Sequence, residues 1–162
     1  WAKIVYDSVL DILDKNDILK EKMNFFVVLG LKNTDLKEKF QKFENVKTFD
    51  FLTQKEMWFL LSKCDVSITR WGITSLAEQF AFGISTIIVP LPYTGWNHQY
   101  YNAKYFADNF NQILTVQDYN LSQNLESHLK SFVWFKKSDF KMPDLDANKK
   151  IIIEDIIELC KN

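Results

Sequence analysis

Five short segments rich in apolar residues recur along the chain, and the residues between them have helical spacing. The segments lie at 24–29, 46–51, 66–69, 86–89 and 112–116. Runs of this length suit buried strands and are too short for ordinary helices. Strands that alternate with helices predict βαβ units, and therefore a parallel sheet with helices on both faces. We expect one Rossmann-like, doubly wound α/β domain with three layers (α/β/α) across residues 1–162.

The helices between these strands carry their own start and stop signals. Thr53 and Glu56 have the spacing of a capping box, which predicts a helix to about residue 63. Gly83 is expected to end a helix at 75–82, because glycine adopts left-handed backbone geometry easily. Other helices are predicted at 1–14, 35–43, 98–109, 121–132 and 149–159, with a polar connector at 136–146. The aromatic residues are expected in the core, with Trp58 and Phe59 on a helix face.

Charge and cysteine content exclude several classes of protein. The net charge of −1 argues against nucleic-acid binding, which needs a basic surface. No apolar run approaches the roughly 20 residues of a membrane span. Cys64, Cys160 and the two histidines lack the spacing of metal ligands. We therefore expect no metal and no cofactor.

In a doubly wound sheet, ligands bind beyond the carboxyl ends of the strands. Gly72 follows the strand at 66–69 and would permit a tight turn into the next helix. The first N–H groups of that helix, at Ile73 to Ser75, would then form an anion site suited to a diphosphate. Glu78 lies one turn later and has two interpretations. It could accept hydrogen bonds from sugar hydroxyls, or it could complete a capping box with Ser75.

A second polar group follows the strand at 86–89. Asn97, His98, Gln99 and Asn102 lie at the start of a helix whose later residues are apolar. Gln99 and Asn102 are three residues apart and would share a helix face. His98 is either part of this site or a histidine that only begins the helix, and no serine or cysteine at a recognisable spacing supports a catalytic triad.

The segment from Asp65 to Ala103 resembles the donor-binding core of the MurG-like family 28 glycosyltransferases, which have the two-domain GT-B fold. The likeness rests on two motifs that follow consecutive strands, and weaker likeness extends over most of the chain. The residues shared with the family pattern are Arg70, Gly72, Thr74, Ser75, Glu78, Pro90, Asn97, His98, Gln99, Asn102 and Ala103.

The resemblance implies a role for each part of the site. Glu78 would hold the ribose hydroxyls of UDP, and residues 72–75 would bind its diphosphate. Gln99 and Asn102 would contact the transferred sugar, and the backbone near Leu52 would meet the uracil. The implied donor-binding set is Leu52, Arg70, Gly72, Ile73, Thr74, Ser75, Leu76, Glu78, His98, Gln99 and Asn102.

The sequence departs from the family pattern in three ways. Trp71 and Ile73 replace small residues beside Gly72. The strand and glycine-rich loop that precede the first helix in the family are not found before that helix here, and this strand belongs in the middle of the sheet. The N-terminal acceptor-binding domain, which supplies the catalytic base in the family, is also not found. We therefore expect residues 1–162 to be a nucleotide-sugar-binding fragment of a larger two-domain enzyme, or a piece completed by a partner subunit.

The resemblance implies an inverting, metal-independent transferase that moves N-acetylglucosamine from UDP-N-acetylglucosamine to a lipid-linked acceptor. Its catalytic residues cannot be assigned, and the isolated chain is expected to be inactive. The implied location is the cytoplasm, with peripheral association at the inner face of the membrane. Two alternatives stay open: the soluble subunit of a two-component N-acetylglucosaminyltransferase, and a non-catalytic nucleotide- or protein-binding module on the same fold.

Overall fold

The computed structural model describes residues 3–70, 72–90, 98–110, 113–115 and 120–133. The predicted helix at 149–159, the connector at 136–146 and the loop residues 91–97 lie outside the described residues. All five predicted strands and the other predicted helices are present, with ends shifted by a few residues.

The described elements alternate between helices and strands. In chain order they are α1 (Lys3–Lys15), α2 (Asp17–Lys22), β1 (Phe25–Val28), α3 (Thr34–Gln41), β2 (Val46–Phe49), α4 (Gln54–Lys63), β3 (Val66–Arg70), α5 (Ile73–Ala81), β4 (Ser85–Val89), α6 (His98–Asn109), β5 (Ile113–Thr115) and α7 (Leu121–Phe132).

Local sequence signals account for several helix ends. The capping box at α4 is confirmed: Thr53 Oγ1 accepts from the Glu56 N–H, and Glu56 accepts from the Thr53 N–H. Gly83 follows α5 with a φ of +63°, which confirms the predicted stop. The short helix α2 was not predicted. The side chain of Asn16 begins it by accepting a 3.0 Å hydrogen bond from the Leu19 N–H.

The described strands form two parallel sheets and not the one continuous sheet of a complete doubly wound fold. One pairs β1 with β2, and the other has the order β3-β4-β5. A cavity of about 760 Å³ lies along both β1 and β3, so these two strands face the same space instead of pairing. Helix α1 also lines this cavity, through Val5, Tyr6 and Val9.

Helices cover both faces of the larger sheet, as a three-layer fold requires. Ile87 and Val89 of β4 pack into a core formed mainly by α1, α2, α3 and α7. Ile88, between them, packs instead against Leu76 of α5 and Ala103 of α6. Because successive strand residues point to opposite faces, this alternation places α5 and α6 together on one face and α1 with α7 on the other.

Candidate functional site

Helix α5 begins directly beyond the carboxyl end of β3. The first helical main-chain hydrogen bond runs from the Leu76 N–H to the Gly72 carbonyl at 3.0 Å, so Gly72 is the N-cap residue. The N–H groups of Ile73, Thr74 and Ser75 therefore belong to the first turn and have no acceptor within the helix. Together with the helix dipole, they favour an anion at this position.

Gly72 lies in the predicted tight turn between β3 and α5, but the backbone there does not require glycine. Positive φ values occur at Gly30 and Gly83 among the described glycines, and Gly72 is not one of them. A Cβ atom placed on Gly72 would come 3.7 Å from Ser75 Oγ, an ordinary contact. The protein itself would therefore tolerate alanine here. A residue without a side chain at this position instead leaves room for a group that approaches the helix start.

Glu78 does not complete a capping box with Ser75. Helix α5 begins two residues before Ser75, so Ser75 lies inside the first turn and is not the N-cap residue. The Glu78 carboxylate instead accepts a 3.1 Å hydrogen bond from the indole N–H of Trp58 in α4. Ser75 is exposed, Glu78 is half-buried, and both line the cavity beside β3. The capping interpretation of Glu78 is therefore wrong.

The other residues predicted around α5 differ in what they offer a ligand. Arg70 is half-buried at the carboxyl end of β3, and Leu52 is half-buried just beyond β2. Leu76 is only 2% exposed and packs in the core against Ile88 and Ala103. Its N–H is bonded to Gly72, so neither the side chain nor the N–H of Leu76 is open to a ligand in this structure.

Helix α6 begins at His98, which places the second predicted motif beyond the carboxyl end of β4. The side chains of His98, Gln99 and Asn102 lie outside the described part, but their helical positions put Gln99 and Asn102 on one face. Leu76 and Ala103 share a buried cluster, which shows that α5 and α6 pack side by side. The starts of α5 and α6 therefore lie on the same face of the sheet, beyond the carboxyl ends of two neighbouring strands.

Sequence patterns do not predict the contact between Trp58 and Glu78. Trp58 was assigned to a helix face in the expectation that aromatic residues fill the core, yet Trp58 is 43% and Phe59 68% exposed. The partner could not be inferred, because Trp58 and Glu78 lie on different helices.

The described residues contain no group of three or more histidine, cysteine, aspartate or glutamate side chains arranged to hold a metal ion. No helix in the described part is long and apolar enough to cross a bilayer.

Residues 7–158 match the profile of the glycosyltransferase family 28 C-terminal domain. The chain belongs to this family. The chain is a distant homologue of MurG, as the motifs between Asp65 and Ala103 predict. The two adjacent helix starts beyond parallel strands agree with this assignment.

Curated relatives of this family 28 domain carry the name UDP-N-acetylglucosamine–N-acetylmuramyl-(pentapeptide) pyrophosphoryl-undecaprenol N-acetylglucosamine transferase. The protein of Elusimicrobium minutum is 27% identical over 156 residues, which covers 91% of this chain and 42% of the relative. That of Campylobacter hominis is 32% identical over 124 residues, covering 73% and 34%. That of Sulfurihydrogenibium sp. is 38% identical over 107 residues, covering 66% and 28%.

The match to each of these relatives spans less than half of the relative's length. No solved structure matches the chain significantly.

Proposed function

We propose that this domain binds UDP-N-acetylglucosamine and presents it for transfer to a lipid-linked acceptor. The observation that carries the proposal is the pair of helix starts, α5 and α6, side by side beyond β3 and β4 in a family 28 domain. The name of the relatives, which describes transfer of N-acetylglucosamine, supports this choice of donor.

Each part of the pocket has a proposed role. The N–H groups of residues 73–75 receive the diphosphate, and the Glu78 carboxylate accepts hydrogen bonds from the ribose hydroxyls. Gln99 and Asn102, on one face of α6, contact the N-acetylglucosamine. The main chain near Leu52 meets the uracil. Arg70 lies at the carboxyl end of β3, and His98 lies at the start of α6. From these positions the two residues flank the donor.

The chemistry proposed is a single displacement with inversion. The acceptor oxygen bonds to the anomeric carbon as the bond from that carbon to the diphosphate oxygen breaks, and UDP leaves with the bonding electrons. The positive end of α5 stabilises the charge that grows on the diphosphate. A base that takes the acceptor proton comes from outside this domain, and no metal ion takes part. We propose that the enzyme works at the cytoplasmic face of the membrane.

The binding experiment uses the full polypeptide that contains this domain. Calorimetric titration with UDP-N-acetylglucosamine should give saturable binding, and GDP should bind more weakly because the uracil contact is lost. A polypeptide that binds neither UDP nor the UDP-sugar, and gains no thermal stability from them, would instead support the non-catalytic module.

We further propose that an additional parallel strand, supplied by polypeptide that precedes α1, completes the sheet between β1 and β3. The cavity along both strands supports this arrangement. So does the position of α1, whose first turn touches the carboxyl end of β1 through Tyr6 and Val28. A strand that ends at this edge would need only a short turn to enter α1, as in a βαβ unit.

Hydrogen exchange tests the strand proposal residue by residue. The amides of Phe26 and Ile68 should exchange rapidly in the 162-residue chain and become protected in the longer polypeptide, because both face the cavity. The Phe25 amide bonds to Asn45 O on the β2 side and should be protected in both. Equal protection in the two proteins, or cooperative unfolding and micromolar UDP-sugar binding by residues 1–162 alone, would contradict the proposal.

A further inference from the structure

The carboxylate of Glu78 is held from outside its own helix. Trp58, in the middle of α4, donates its indole N–H to Glu78 Oε1 at 3.1 Å. Indole has one donor and no acceptor, whereas a carboxylate has two oxygens and about four acceptor sites. The bond to Trp58 therefore fixes the orientation of the carboxylate and leaves acceptor sites for a ligand.

Helix α4 holds Trp58 in place, so that Trp58 can restrain the Glu78 side chain. Its start is closed by the capping box of Thr53 and Glu56, and Leu61 is buried on its inner side. Glu78 is a flexible side chain on α5, and a flexible side chain loses rotamer freedom when it binds a ligand. An indole that already restrains the carboxylate reduces that loss.

We propose that Trp58 is a positioning residue that orients Glu78 to receive a pair of ribose hydroxyls at the start of α5. The inference rests on the proposed function, in which Glu78 binds the ribose of UDP. Trp58 itself does not touch the nucleotide. The competing explanation is that the hydrogen bond only ties α4 to α5.

The test compares two ligands in the full polypeptide, UDP and 2′,3′-dideoxy-UDP, which lacks both hydroxyls. Trp58→Phe keeps an aromatic ring, although a smaller one, and removes the N–H; β-(3-benzothienyl)alanine at position 58 removes the N–H with almost no change of shape. Both variants should weaken UDP binding by about three- to tenfold and leave dideoxy-UDP binding within about twofold. The control is Phe59→Leu, which changes the neighbouring and more exposed aromatic residue of α4 and should alter the affinity for neither ligand.

A double-mutant cycle separates Trp58 from Glu78. If Trp58 acts through the carboxylate, Trp58→Phe should have no further effect on UDP affinity in a Glu78→Ala background. Equal losses for both ligands, unchanged UDP affinity, or additive losses in the double variant would overturn the positioning role.

The same titrations distinguish a failure of the role proposed for Trp58 from a failure of the role proposed for Glu78. If Glu78→Ala leaves the preference for UDP over dideoxy-UDP intact, Glu78 is not the ribose ligand, and the roles proposed for Glu78 and Trp58 are both wrong. If Glu78→Ala abolishes the preference while Trp58→Phe preserves it, only the role of Trp58 is wrong.

Discussion

The hydroxyl of Tyr6 donates a 2.8 Å hydrogen bond to the main-chain oxygen of Val28, joining the first turn of α1 to the carboxyl end of β1. The N–H groups of Phe25 and Leu29 bond to the β2 side. Because alternate residues of a strand direct their main-chain groups to opposite edges, the Val28 carbonyl points away from β2 and toward the cavity. Tyr6 thus supplies a donor at an edge where a neighbouring strand would otherwise do so.

Tyr6→Phe should lower the free energy of unfolding by about 1 kcal/mol, because the half-buried Val28 carbonyl loses its donor while the ring packing is kept. Burial raises the pKa of the Tyr6 phenol, so the hydroxyl stays protonated through neutral pH. Denaturation in urea measures the change. Tyr105→Phe is the control, because Tyr105 is 63% exposed, and it should be neutral; equal effects at the two positions would contradict the role of Tyr6.

Gly72→Ala should separate ligand binding from stability. A Cβ atom at position 72 would make only an ordinary van der Waals contact, so the free energy of unfolding should fall by less than about 1 kcal/mol. UDP affinity should fall by about tenfold or more, because the methyl group occupies the approach to the α5 N–H groups. Thermal unfolding and calorimetry measure the two quantities.

Gly83→Ala is the reverse control for Gly72→Ala, because it should change stability and not affinity. Gly83 has a φ of +63°, so alanine there should destabilise the protein by about 1 kcal/mol or more and leave UDP affinity unchanged. If Gly72→Ala loses stability but no affinity, the diphosphate does not bind at the start of α5.

The capping box of α4 should contribute measurably to stability. Thr53→Ala removes the acceptor for the Glu56 N–H and should cost about 1 kcal/mol, whereas Thr53→Ser keeps the hydroxyl and should cost much less. The hydrogen bonds from Thr53 also hold the pKa of Glu56 below its ordinary value. The stability from this pair is present above the ordinary glutamate pKa and is lost as the pH falls through the lowered value. Loss of that acid dependence in Thr53→Ala is the check.

His128 should make the protein less stable in weak acid. Burial lowers the pKa of the His128 imidazole, so the unfolded chain binds the proton more readily than the folded protein. Stability should therefore fall as the pH drops below the ordinary histidine pKa of about 6.5. His128→Gln should flatten the unfolding free energy between about pH 7 and 5.5 relative to the parent. An unchanged slope would show that a group other than His128 causes it.

Sequence patterns predicted the local features of this protein well. The strands, the capping box at Thr53 and the stop at Gly83 depend on residues within a few positions of each other, and all are present. Local patterns do not show the split between β1 and β3, because strand pairing depends on which segments meet in space; only the resemblance, which puts a missing strand in the middle of the sheet, indicates a gap. The hydrogen bond from Trp58 to Glu78 could not be predicted either, because it joins two different helices.

The capping interpretation of Glu78 shows how a local pattern can mislead. Ser75 and Glu78 have the correct spacing, yet α5 begins two residues earlier, at Ile73, with Gly72 as its cap. Glycine also serves as an N-cap residue, and two competing caps three residues apart cannot be ranked from sequence alone.

The most direct test of the account is a calorimetric titration of UDP into the full polypeptide and its Glu78→Ala variant. Glu38→Ala, which changes an exposed glutamate on α3, is the matched control. We predict that Glu78→Ala weakens UDP binding by about tenfold or more and that Glu38→Ala binds like the parent. Unchanged UDP affinity in Glu78→Ala, with the parent binding normally, would contradict the account of the donor site.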